Sequence, residues 1–84
     1  MAQNLRLLLV EDSEDDAELL LRELRKGGYS VDCQRVDTGP DLESALDQQN
    51  WDLIITDHNL PGFNSQAVLA TVNRTRLDIP VIIV

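Results

Sequence analysis

The chain is expected to fold as an α/β domain built on a doubly wound parallel sheet. Short apolar runs alternate with amphipathic segments in the order β-α-β-α-β-α-β. The connections are short, and right-handed crossovers then leave parallel pairing as the natural arrangement. Acidic residues also stand at the ends of two of the apolar runs. Glu11-Asp12 follows Leu7-Leu8-Leu9-Val10, and Asp57 follows Leu53-Ile54-Ile55-Thr56.

Each element has its own signal. Leu5–Val10 is nearly continuous in apolar residues, as expected for a strand covered on both faces, with Arg6 interrupting it near its start. Ser13 is placed to cap a helix, with Glu14, Asp15 and Asp16 at the positive end of its dipole. Ala17, Leu20, Leu21 and Leu24 share one face of that helix. Arg22, Arg25 and Lys26 lie towards its end, and Gly27-Gly28 stops it. Tyr29–Val36 alternates, with Tyr29, Val31 and Cys33 on one side, which suits an edge strand. Thr38-Gly39-Pro40 reads as a turn, and Asp41–Gln49 as a short helix buried through Leu42, Ala45 and Leu46. Trp51-Asp52 leads into the strand Leu53–Thr56, and Asn59-Leu60-Pro61-Gly62 forms a loop. Asn64 or Ser65 caps a helix that runs to about Arg76 and buries some of Ala67, Val68, Leu69, Thr71 and Val72. Pro80 opens the last strand, Val81–Val84, where its missing N–H does least harm.

Composition narrows the function. With 84 residues the chain is one domain at most, and 43% hydrophobic residues argue for a core and against disorder. A net charge of −8 repels phosphates, so nucleic acid is not expected as a direct partner. The single Cys33 excludes an internal disulfide and a cysteine-based zinc site. No stretch approaches a membrane span, and the start lacks the apolar core of a signal peptide. The expected setting is the reducing cytoplasm.

If the first and third strands are neighbours, Glu11, Asp12 and Asp57 converge at one sheet edge, where doubly wound folds keep their functional groups. Two unit charges about 4 Å apart repel by roughly 4 kcal/mol at an effective dielectric near 20. A hard divalent cation such as Mg²⁺ is the simplest relief.

With these residues in hand, the chain resembles the receiver domain of two-component response regulators over its whole length. The resemblance is carried by Leu8-Leu9-Val10-Glu11-Asp12-Ser13, Trp51-Asp52-Leu53-Ile54-Ile55-Thr56-Asp57, Asn59-Leu60-Pro61-Gly62 and Ile79-Pro80-Val81-Ile82-Ile83-Val84. It implies a flavodoxin-like sheet of order 2-1-3-4 with three helices. It also implies that Asp57 is the phosphoacceptor, taking a phosphoryl group from a phosphohistidine on a histidine kinase or phosphotransfer protein. Asp12 and Asp57 would bind Mg²⁺ directly, Glu11 directly or through water, and the backbone carbonyl of Asn59 would be a further ligand. Such a domain is a signalling module and not a turnover enzyme.

Residues 1–84 depart from the family pattern in three ways. Leu60 stands where Met is frequent and Ser65 where Gly is common. The family also continues past the fourth strand with a Ser or Thr, a helix, a fifth strand ending in Lys, and a last helix. The chain is therefore expected to be a receiver lacking its fifth β/α unit, with an exposed Val81–Val84 edge open to self-association. The missing Lys makes a pseudo-receiver or dimerisation module the alternative. A Mg²⁺-dependent phosphatase of haloacid-dehalogenase type is more remote, because Asn59 stands where that family has a second acid.

Other residues have plainer readings. Asp15 and Asp16 are expected to be solvated, His58 to be a surface loop residue, and Cys33 to act as a small hydrophobe. Trp51 is expected to pack at the end of its strand opposite the acids.

Overall fold

A computed structural model describes residues 3–57, 65–75 and 78–84. Within these, strand β1 (Gln3–Val10) leads to helix α1 (Glu14–Lys26), β2 (Tyr29–Val36), α2 (Gly39–Gln48), β3 (Leu53–Thr56), α3 (Ser65–Thr75) and β4 (Val81–Ile83). The four strands form one parallel sheet in the order β2-β1-β3-β4. This is the doubly wound arrangement expected from the alternating pattern.

The two innermost strands are apolar at successive residues because both of their faces are covered. On one face Leu8, Val10 and Ile54 pack with Leu42, Ala45 and Leu46 of α2 and Val68 and Val72 of α3. On the other, Leu7, Leu9 and Ile55 meet Ala17 of α1, with Leu20, Leu21 and Leu24 only half-buried around them. The two halves of the core are therefore unequal. Burying a leucine fully contributes about 1.5–3 kcal/mol, so the α2–α3 face carries the larger share of the stability.

Local chemistry sets the ends of the helices. Ser13 is extended, and its hydroxyl accepts the Asp16 amide at 3.2 Å, which satisfies one N–H at the start of α1. Gly28 follows the helix with φ of 95°, a left-handed conformation that strains any residue with a Cβ. Thr38-Gly39-Pro40, read from sequence as a turn, is instead the start of α2. The Thr38 hydroxyl accepts the Asp41 amide at 3.3 Å, and proline sits in the first turn, where no N–H is required. β1 begins two residues earlier than its apolar run, because Gln3 and Asn4 still pair with Tyr29 and Ser30.

Both sheet edges behave as expected. β2 is an outer strand with Tyr29, Ser30 and Asp32 exposed. On the outer strand β4, Ile82 and Ile83 are also exposed, as is the following Val84. Cys33 is half-buried in the α1 side of the core, and burial pushes its thiol pKa up.

Trp51 is buried, and its indole N–H donates to the Ala45 carbonyl at 2.8 Å. It precedes β3, whereas Asp57 follows it. At a strand rise of about 3.3 Å per residue the two residues stand roughly 20 Å apart. Saturating Mg²⁺ should therefore leave the emission maximum of Trp51 unchanged, and urea should shift it to the red. A metal-induced shift comparable to that in urea would contradict this placement.

Candidate metal centre

Hydrogen bonds continue past the ends of the strands and align the residues that follow them. The Glu11 amide donates to the Val36 carbonyl, the Asp57 amide to the Val10 carbonyl, and the Val84 amide to the Thr56 carbonyl, each at 3.0 Å. Val10 and Thr56 are paired across β1 and β3, so the residues after them emerge side by side. One carboxylate oxygen each from Glu11, Asp12 and Asp57 then lies within 4.8 Å of the others. The three residues that sequence singled out are thus brought together at the carboxyl edge of the sheet. Asn59, whose carbonyl was expected as a further ligand, lies outside the described residues, as do His58, Leu60, Pro61, Gly62, Asn64 and Arg76.

The three acids have different environments. Glu11 is buried, Asp57 half-buried and Asp12 exposed. Glu11 Oε1 accepts the Ser13 amide at 3.1 Å, which fixes its side chain against the start of α1. Burial pushes the Glu11 carboxyl above its ordinary range, and Asp12 and Asp57 push the same way. The Ser13 amide opposes them by favouring the charged form.

The cluster borders an open cleft of about 320 Å³, lined by Leu9, Glu11, Asp16, Ala17, Leu20, Asp57 and Val84. Its lining is part apolar (Leu9, Ala17, Leu20 and Val84) and part acidic (Glu11, Asp16 and Asp57). Asp16, exposed as expected, also lines this cleft. The donor set is all hard oxygen, which suits Mg²⁺ or Ca²⁺ and not a thiolate-seeking metal. Oxygens around one Mg²⁺ sit about 2.0–2.1 Å from the ion, so the observed spacing requires only a small inward movement of the side chains.

One contributor was not visible in sequence. Arg35, on β2 opposite Leu9, donates from Nη1 to the Glu11 carbonyl at 3.0 Å and from Nη2 to Glu14 Oε1 at 3.4 Å. Only the strand register identifies it, since Arg35 lies 24 residues from Glu11.

Residues 7–84 match the family described as the response regulator receiver domain, and the chain belongs to that family. It is 35% identical over 77 residues to the transcriptional regulatory protein TcrA of Mycobacterium tuberculosis, covering 92% of this chain and 30% of that protein. It is 30% identical over 79 residues to the transcriptional regulatory protein TctD of Salmonella typhimurium, covering 94% of this chain and 34% of that one. The chain thus spans about a third of the length of these curated relatives. In fold it is similar to the receiver domain of the sensor histidine kinase PA1611 from Pseudomonas aeruginosa, solved with magnesium in its active-site cleft. The TM-score is 0.77 at 24% identity, over 95% of this chain and 66% of that one. Receiver domains are signalling modules, and among the described residues no helix is long and apolar enough to cross a membrane.

Proposed function

We propose that this chain accepts a phosphoryl group on Asp57 from a phosphohistidine of a histidine kinase or phosphotransfer protein in the cytoplasm. The observation that carries this reading is the convergence of Glu11, Asp12 and Asp57, within 4.8 Å, in a chain of the receiver family. An oxygen of the Asp57 carboxylate attacks phosphorus, the P–N bond to the imidazole breaks, and an acyl phosphate is left on Asp57. Asp12 and Asp57 would hold Mg²⁺ directly and Glu11 directly or through water, and the Asn59 carbonyl would be a further ligand. The cation supplies charge neutralisation and alignment for the transferring oxygens. The chain itself supplies position. The Asp57 amide bonded to Val10 and the Glu11 amide bonded to Val36 hold the acids where the phosphoryl group must arrive. Water later hydrolyses the acyl phosphate, releasing inorganic phosphate and returning the carboxylate.

The test is to incubate the chain with Mg²⁺ and acetyl phosphate and measure its intact mass. One added phosphoryl group is expected, absent in Asp57→Asn and absent with EDTA. No adduct at any donor concentration would favour a pseudo-receiver or dimerisation module. Sustained release of phosphate over many turnovers would point to a hydrolase.

A further inference from the structure

We propose that Arg35 is a positioning residue for the cation site, an inference that rests on reading Glu11, Asp12 and Asp57 as that site. Its guanidinium bonds to the Glu11 carbonyl at 3.0 Å, the oxygen of the peptide that joins Glu11 to Asp12. The torsions on either side of that peptide set how the Glu11 and Asp12 side chains are oriented relative to each other. Among the described residues, three hydrogen bonds hold Glu11: the Val36 carbonyl on its amide, the Ser13 amide on its side chain, and Arg35 on its carbonyl. Two of these come from the end of β2, a strand that contributes no carboxylate to the cluster. The second prong of Arg35 reaches Glu14 at 3.4 Å, at the first position of α1. The Glu14 side chain is 83% exposed, so that ion pair adds little by itself, and its effect is to steer the guanidinium across the loop. Arg35 thus ties the end of β2, the acidic turn after β1 and the start of α1 into one brace. Groups that orient metal ligands are commonly worth about 10–100-fold in metal affinity.

Charge and position predict opposite signs here. As a nearby positive charge, Arg35 opposes a bound cation, so removing it should tighten binding. As a brace, its removal frees the Glu11–Asp12 peptide and weakens binding. Mn²⁺ affinity, measured by electron paramagnetic resonance on the wild type, Arg35→Gln and Arg35→Lys, separates the two. Melting curves by circular dichroism establish that each variant is folded. The brace requires Mn²⁺ affinity about tenfold lower in Arg35→Gln and about threefold lower in Arg35→Lys, which keeps the charge without the two-pronged reach. Affinity equal to or tighter than wild type in a folded Arg35→Gln overturns the proposal. If Arg35→Gln does not fold, Arg35→Lys decides: a loss supports the brace, and unchanged affinity overturns it. A wild-type chain that binds no Mn²⁺ overturns the site reading itself, an outcome distinct from both.

Discussion

Truncating Leu8 to alanine is expected to remove a large part of the chain's stability. Leu8 is completely buried on the central strand β1, facing the cluster built from α2 and α3. A buried Leu→Ala change costs about 2–5 kcal/mol, from lost transfer energy and the cavity left behind. An 84-residue domain has about 4–12 kcal/mol in total, so the substitution removes a large fraction of the margin. Leu20→Ala on α1 is the matched comparison. Leu20 is only half-buried on the thinner face, and its truncation should cost about 1 kcal/mol. Urea unfolding of both variants gives the ratio directly. A smaller loss in Leu8→Ala than in Leu20→Ala would show that the α2–α3 face is not the main core.

Glu11→Gln should stabilise the cation-free chain and weaken its hold on Mg²⁺. Gln keeps the shape and the oxygen that accepts the Ser13 amide, but removes a buried charge from beside Asp12 and Asp57. Like charges within 4.8 Å of one another repel by roughly 1–3 kcal/mol or more, depending on how much water screens them. For a domain of this size that corresponds to a gain in Tm of about 5 °C or more in EDTA. The pH dependence follows from the raised pKa. A carboxyl whose folded pKa lies above its unfolded value gives its full stabilisation below the unfolded value. That stabilisation is lost as pH rises through the folded one. The advantage of Glu11→Gln should therefore be larger in alkaline than in acidic buffer, shrinking as the pH falls towards the ordinary glutamate value of 4.5. Mg²⁺ should reverse the order at the higher pH, because it binds the charged form of the wild type. Calorimetric scans with EDTA and with Mg²⁺ at both pH values test this. A constant gap across pH would show that Glu11 does not titrate in the cluster.

The features legible in sequence were local ones. The Ser13 cap, the Gly27-Gly28 stop and the apolar runs of β1 and β3 each depend on a few neighbouring residues, and the structure reproduces them. Thr38-Gly39-Pro40 misled because proline and glycine mark turns and helix starts alike. The spacing from Thr38 to Asp41 was the discriminating signal. The same division runs through the site. Glu11, Asp12 and Asp57 were legible because each follows an apolar run, and such residues emerge at the functional edge of a parallel sheet. Arg35 was not, because its link to Glu11 depends on Leu9 lying opposite it in the strand register.

The bond from the Asp57 amide to the Val10 carbonyl makes the candidate metal centre a product of long-range chain closure. Asp12 and Asp57 are far apart in sequence and meet only after the whole segment between them, with two helices and two strands, has been gathered in. An unfolded chain offers a cation only the adjacent pair Glu11-Asp12, a poor chelate. Mg²⁺ would therefore act as a folding ligand, and its binding free energy would be added to the pairing of β1 with β3. Cation availability would then govern how much of this chain survives as folded protein.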